Sequence, residues 1–191
     1  MKVRIITMHT KKINSQKGYT LFEALAALLI LLLVSAGMAN GIRFGIEQYY
    51  KAMKASQAKV LCSTLSSVLS NDLRFTTYVA EKDGTLEYLS PGYSPEEEAH
   101  RGEYSTIWCL DDDGNPTDGL GQIAIGTVSG SELHKVLGGA AYPEELRARV
   151  TLFTYADDYF TVTLEVGDES KIYQTYTFDV LNLNHAELKT E

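Results

Sequence analysis

A single carboxylate, Glu23, stands at the start of the longest apolar run in the chain, and no charged residue follows it from Ala24 to Ala39. A carboxylate at the edge of a hydrocarbon layer is costly unless it has a partner. The free α-amino group of a neighbouring chain would suit, because opposite charges attract strongly in a medium of low dielectric constant. The position of Glu23 therefore predicts an ionic role at one end of a membrane-length helix.

The residues around this run predict its orientation and its length. The first 22 residues carry five basic side chains and no acidic one, and a basic flank marks the cytoplasmic side of a membrane segment. Leu and Ala dominate the run, and both are good helix formers. A full span needs about 20 residues. A count from Tyr19 to Ile42 reaches that length and includes Glu23.

Two simpler interpretations compete for the same segment. A secretory signal peptide has a basic start, an apolar run of this length and a small-residue cleavage site, for which Gly37-Met38-Ala39 would serve. A plain single-span anchor is the second. Both leave Glu23 without a use, and the signal peptide also disagrees with the amphipathic pattern that continues beyond Ala39.

The segment Gly18-Tyr19-Thr20-Leu21-Phe22-Glu23 resembles the prepilin cleavage and methylation motif of the type IV filament superfamily, which covers type IV pilins, minor pilins and the pseudopilins of type II secretion and competence systems. The resemblance implies that a prepilin peptidase cuts after Gly18 and that Tyr19 becomes an N-methylated terminus. Glu23 would be the fifth mature residue, and its carboxylate would pair with the N-terminal amine of a neighbouring subunit. Tyr19 replaces the commoner Phe.

The resemblance also implies partners and a location. The partners would be the prepilin peptidase/methyltransferase, other pilin or pseudopilin subunits, the membrane platform of the assembly machine and the lipid bilayer. The chain would cross the cytoplasmic membrane once, with its N-terminus inside and its globular domain outside, before joining a surface or periplasmic filament. Asn40 stands near the place where many pilins carry Pro, and Gly37 and Gly41 would supply the flexibility there.

The charge balance bounds the remaining functions. The chain has 17 basic and 25 acidic residues, and removal of a leader with five of the basic ones leaves a formal charge of −13. Phosphate neutralisation needs basic clusters, so we expect no nucleic-acid partner. The four His residues show no metal-ligand spacing with Cys or with one another. The Ser in Gly126–Gly130 is out of register for a nucleophile elbow. We therefore expect no enzyme activity and no catalytic residue.

The two cysteines are the next candidates. Cys62 falls in the long helix and Cys109 in a strand. An even cysteine count in an exported chain permits one disulfide, and two buried free thiols are the alternative.

An oxygen-rich loop is the one candidate for a metal. Its ligands would be Asp111, Asp113, Asn115 and Asp118, and such loops suit calcium. An EF-hand-type loop would need Gly where Pro116 stands and Glu where Gln122 stands. A polar turn that binds no cofactor is the alternative, and we favour it.

Periodicity predicts the elements that position these residues. One helix is expected from Tyr19 to about Asn71, apolar all round at first and then apolar on one face. That face would comprise Ile46, Tyr49, Met53, Val60, Leu65, Val68 and Leu69. A hairpin is expected around the Lys82-Asp83-Gly84 turn, and strands at Ser105–Leu110 and Gln122–Ile125. Short helices are expected from Ser131 and from Pro143.

The last third alternates with period two in three strands, at 149–155, 159–166 and 171–181, which predicts an antiparallel meander with one dry face. The amphipathic helix would cover that face. The expected fold class is α+β and pilin-like. The expected segments are a leader at 1–18, a transmembrane and filament-core helix at 19–45, its amphipathic continuation at 46–72 and a β-rich domain at 73–191.

The sequence therefore predicts a structural or assembly subunit of a type IV pilus or of a type II secretion or competence pseudopilus. The alternative is a membrane-anchored or secreted binding module that does not polymerise.

Overall fold

The computed structural model describes residues 20–92, 103–143 and 145–190. The predicted leader, Gly18 and Tyr19 lie outside these ranges. The chain divides into two compact units, residues 1–48 and 49–191. The elements are helix α1 at Leu21–Arg74 and strands β1 at Val79–Lys82, β2 at Thr85–Tyr88, β3 at Ser105–Leu110, β4 at Gln122–Thr127, β5 at Leu133–Lys135, β6 at Arg147–Ala156, β7 at Tyr159–Asp168, β8 at Lys171–Leu181 and β9 at Leu188–Thr190.

The expected long helix is confirmed, and its ends have local causes. The Glu23 backbone N–H donates to Thr20 Oγ1 at 3.3 Å, so Thr20 caps the first turn. Glu23 lies in that first turn and Arg74 in the last, the placement that complements the helix dipole.

The predicted apolar face of α1 is only partly correct. The buried residues of the helix are Ala58, Leu61, Cys62, Leu65, Leu69 and Leu73. Tyr49, Met53, Val60 and Val68 are exposed instead, at 67, 36, 65 and 37%. At about 100° per residue, Tyr49, Met53 and Val60 lie within about 40° of one another on the side opposite the buried residues, whereas Val68 lies about 80° from Val60, at the border of the buried face. The second half of α1 therefore has one apolar face against the domain and a second, exposed one.

A six-stranded sheet has the order β5-β4-β3-β2-β1-β9. The predicted β1–β2 hairpin is confirmed, and so is the antiparallel pairing of β3 with β4. Strand β9 pairs with β1 in parallel, which the sequence analysis did not anticipate. No alternation longer than three residues marks β9.

The short helix predicted from Ser131 is wrong, because this segment turns back as strand β5. The turn is held by hydroxyls: Thr127 Oγ1 lies 3.0 Å from Ser131 Oγ, and the Glu132 N–H donates to Thr127 Oγ1 at 3.3 Å. Gly130 takes φ +70°. A local hydroxyl network of this kind competes with a helix start.

The short helical turn expected from Pro143-Glu144-Glu145 includes Glu144, which lies outside the described residues, so this expectation stays a prediction. The backbone of Glu145 has φ +65°, and Leu146 N–H donates to the Pro143 carbonyl as in a turn. A single 3₁₀ turn lies just before this point, at Gly139–Ala141.

The C-terminal meander is confirmed as a three-stranded antiparallel sheet in the order β6-β7-β8. Its central strand buries Phe160, Val162, Leu164 and Val166 completely. These side chains join Leu65 and the other buried residues of α1 in one hydrophobic core. The α+β architecture, with the helix against antiparallel sheet, is thus confirmed.

Candidate functional site

Glu23 stands on the first turn of α1, at the start of an apolar stretch of the helix in which no side chain is buried. The large apolar side chains from Leu25 to Val34 are each 50 to 66% exposed. Among the described residues, α1 is the one helix long and apolar enough to cross a membrane. Exposed apolar surface of this extent needs lipid or other helices to cover it.

Thr20 and Glu23 also have the spacing of a capping box, in which the acidic side chain supports the helix start. The threonine half of this arrangement is formed, as described above. Glu23 thus has a local structural role available besides an ionic one, and the two roles differ in whether charge is needed.

The second unit has an exposed apolar stripe of its own on α1. It consists of Tyr49, Met53 and Val60, and no charged residue belongs to it. Lys51 and Lys59 are exposed on other sides of the same helix. The stripe and the domain-facing side are therefore both apolar, which fits a helix that packs on two partners at once.

An ion-pair network that the sequence analysis missed joins α1 to the domain. Lys54 Nζ donates to Asp168 Oδ2 at 2.7 Å and to Glu145 Oε2 at 2.8 Å. Asp168 also accepts bonds from the Tyr173 hydroxyl and from the backbone N–H groups of Ser170 and Lys171.

The hydrogen bond between Lys54 and Asp168 is the main cause of the pKa shift of each residue. The hydrogen bond from Lys54 is the largest influence that holds the pKa of Asp168 below its usual range. Asp168 in turn raises the pKa of Lys54. The partners are separated by 114 positions in the sequence, so no local pattern indicates the contact.

The cysteines are both free thiols in the structure, so the disulfide proposed from the sequence is not formed there. Cys62 is buried in the core. Cys109 Sγ lies 3.2 Å from the carbonyl oxygens of Gly119 and Ala148. Burial raises the pKa of each thiol to about 11.

The 111–118 loop forms a compact turn. Asn115 N–H donates to Asp111 Oδ1 at 2.8 Å, and Arg147 pairs with Asp112 at 2.8 Å. Across the described ranges, no group of three or more His, Cys, Asp or Glu side chains is placed to hold a metal ion. Calcium binding by Asp111, Asp113, Asn115 and Asp118 stays a prediction.

Comparison with known proteins agrees with the N-terminal motif. Residues 13–39 match the family described as the prokaryotic N-terminal methylation motif. The resemblance seen in Gly18 to Glu23 is confirmed over this segment, and the chain is pilin-like there. No curated protein and no solved structure matches the chain.

Proposed function

We propose that this chain is a structural subunit of a type IV pilus or of a type II secretion or competence pseudopilus. The observation that carries the proposal is Glu23 on the first turn of α1, inside a matched methylation motif and before an exposed apolar stretch with no charge from Ala24 to Ala39. Processing after Gly18 would create a new amine at Tyr19, four residues before Glu23. In low dielectric, that amine of one subunit and the Glu23 carboxylate of the next attract strongly.

The exposed side of α1 supports the same proposal. A helix that only anchored a domain would need apolar surface within the bilayer and none beyond it. Here Tyr49, Met53 and Val60 expose apolar surface on the part of α1 that belongs to the second unit. Packing between neighbouring subunits would cover them, and burial of the exposed part of Val60 would contribute about 1 kcal/mol.

The processing step is tested by mass spectrometry of the mature N-terminus from the native host. We expect a chain that starts at Tyr19, with a mass consistent with an added methyl group. A chain that starts near Asn40 would identify a signal peptide and remove Glu23 from the mature protein, which would overturn the proposal.

The assembly step is tested with Glu23→Gln, which removes the charge and keeps the capacity to cap a helix. We expect this variant, like Glu23→Ala, to be processed normally and to be lost from sheared or pelleted filaments. Glu47→Ala is the matched control, because Glu47 is an exposed helix carboxylate whose pairing with Arg43 at 3.3 Å is worth little. Normal assembly of Glu23→Gln would overturn the ionic role of Glu23, whereas a parent chain that forms no filaments in its native host would favour the non-polymerising membrane module.

A further inference from the structure

The three-stranded sheet ends in a long strand with one neighbour. Strand β8 has 11 residues, Lys171–Leu181, and among the described residues it pairs with β7 alone. An edge strand presents a row of backbone N–H and C=O groups that can pair with another chain, and natural proteins usually protect such edges.

The core-facing side of β8 is incompletely covered. Tyr176 lies opposite Leu164 in the register, so both side chains point to the same face of the sheet. Leu164 is fully buried, whereas Tyr176 is 42% exposed. Tyr176 stacks on Phe178 with ring centroids 5.8 Å apart, and Phe178 is only half-buried. The face of the sheet that is buried at β7 is therefore partly exposed at β8.

The usual protective devices are lacking along the middle of this edge. Residues 172–178 contain no charged residue, no Pro and no Gly. On the outer face, Thr175 and Thr177 are exposed, and Thr177 Oγ1 lies 2.9 Å from Thr163 Oγ1 on β7. Gln174 Nε2 donates to the Thr175 carbonyl at 2.9 Å, a side-chain bond that a backbone donor could replace.

The opposite edge of the same sheet differs. Strand β6 is interrupted by a β-bulge between Val150 and Leu152. It is also bridged to Gly121 through Ala148. A bulge and a bridge both hinder the addition of a strand, so β8 is the edge that remains open.

We propose that β8 is a docking site for an extended segment of another polypeptide, which adds a fourth strand to this sheet. The segment carries alternate apolar side chains that cover Tyr176 and Phe178, and short β-branched ones beside Thr175 and Thr177. It has no charge in its middle. Main-chain hydrogen bonds supply the affinity and the alternating side chains supply the specificity, as in other cases of strand addition.

Antiparallel pairing of β8 with the β8 strand of a second copy does not fit the edge. Strand β8 runs beside α1 in the same direction: Lys54 contacts Asp168 just before β8 begins, and Leu183 N–H donates to the Arg74 carbonyl just after it ends. Antiparallel pairing of two β8 strands would make their helices antiparallel. Two chains anchored from one side of a membrane have parallel helices. The exclusion of this pairing rests on the proposed function, because it assumes that both chains are anchored in the same membrane.

The test uses the full-length chain in detergent micelles and a synthetic peptide with the sequence Tyr159–Val166, flanked by lysines for solubility. This probe is the strand that β8 already accepts on its other side, and its Phe, Val, Leu and Val alternate with Tyr, Thr, Thr and Glu. We expect saturable binding in a fluorescence titration and at least about tenfold slower amide exchange within β8. A peptide of the same composition with the alternation scrambled should not bind.

Two lysine substitutions locate the site. Thr177→Lys, on the β8 edge, should weaken binding about tenfold or more, whereas Thr154→Lys, exposed on the same outer face but on β6, should change it less than about twofold. If Thr177→Lys melts early, Tyr176→Ala carries the same test from the core-facing side. Absence of binding, equal binding of the scrambled peptide, loss of binding in Thr154→Lys alone, or protection in the free chain of those β8 amides that do not bond to β7 would each overturn the proposal.

Discussion

Asp168 is a carboxylate held by several hydrogen bonds at once. Its side chain is about one-tenth exposed and accepts hydrogen bonds from Lys54, Tyr173 and the β7–β8 turn. We expect Asp168→Asn to lower the free energy of unfolding by about 1–2 kcal/mol at pH 7, because Lys54 and Tyr173, both only partly buried, lose a charged acceptor. Chemical denaturation followed by the fluorescence of Trp108, the one Trp in the chain, measures this.

The same carboxylate gives a pH dependence of known sign. Its pKa is lower in the folded state than in the unfolded chain, so its contribution is fully present above about pH 4 and is lost as the pH falls towards the folded-state pKa. Stability of the parent chain should therefore fall from pH 5 to pH 2 more steeply than that of Asp168→Asn. The neighbouring exposed Glu169, changed to Gln, should follow the parent; parallel curves for Asp168→Asn would contradict the assignment.

The thiols of Cys62 and Cys109 should be slow to react. The thiolate is the reactive form, and a pKa near 11 leaves little of it at pH 8. We expect negligible labelling by a maleimide in the native chain and labelling of both residues after denaturation without reductant. A denatured chain that labels only after reduction would establish the disulfide instead.

At the scale of elements, the two apolar faces of α1 should differ sharply in their effect on folding. Leu65 is fully buried, and Leu65→Ala should cost about 2–5 kcal/mol. Val60 is 65% exposed, and Val60→Ala should change the stability of the isolated chain by less than about 0.5 kcal/mol. Denaturation of both variants in detergent compares them, and equal losses would show that Val60 also packs in the core.

Helix α1 and the strands show which features of the fold could be predicted from the sequence. Local periodicity and turn residues predicted the length of α1, the β1–β2 hairpin and the C-terminal meander. Two apolar faces a half-turn apart produce mixed spacings of three and four, so periodicity alone could not separate Leu65 from Val60. Strand β5 was mistaken for a helix because Ser131 and Glu132 imitate a helix start while their hydrogen bonds go to Thr127.

The residues of the candidate site also differ in whether the sequence alone could reveal them. Glu23 was found from the sequence because its chemistry depends on immediate neighbours along the chain. The Lys54–Asp168 contact and the open edge of β8 depend on which distant segments meet, and they needed the fold. Tyr176 illustrates the difference, since the strand that contains it was predicted and the exposure of its side chain was not.

At the scale of the whole molecule, calcium is expected to leave stability unchanged. Asp111 and Asp112 already bind Asn115 N–H and Arg147, so a cation would have to displace these contacts. We expect the same unfolding midpoint in calcium and in chelator. A midpoint raised by calcium in the parent chain, and not in Asp111→Asn, would establish the loop as a site, because a ligand of the native state stabilises it by mass action.

The net charge predicts how assembly responds to salt, through two electrostatic effects of opposite sign. Subunits processed after Gly18, as proposed, would carry a formal charge of −13 and repel one another through exposed carboxylates. Salt screens such charges, with a Debye length that falls from about 30 Å at 0.01 M to about 8 Å at 0.15 M. The proposed pairing of Glu23 with a neighbouring amine is desolvated and is screened much less. Sedimentation of filaments from purified mature chain should therefore yield more pelleted protein at 0.15 M than at 0.01 M salt. A yield that falls with salt would mean that exposed ion pairs hold the subunits together, and that the buried pair at Glu23 is not the main ionic contact.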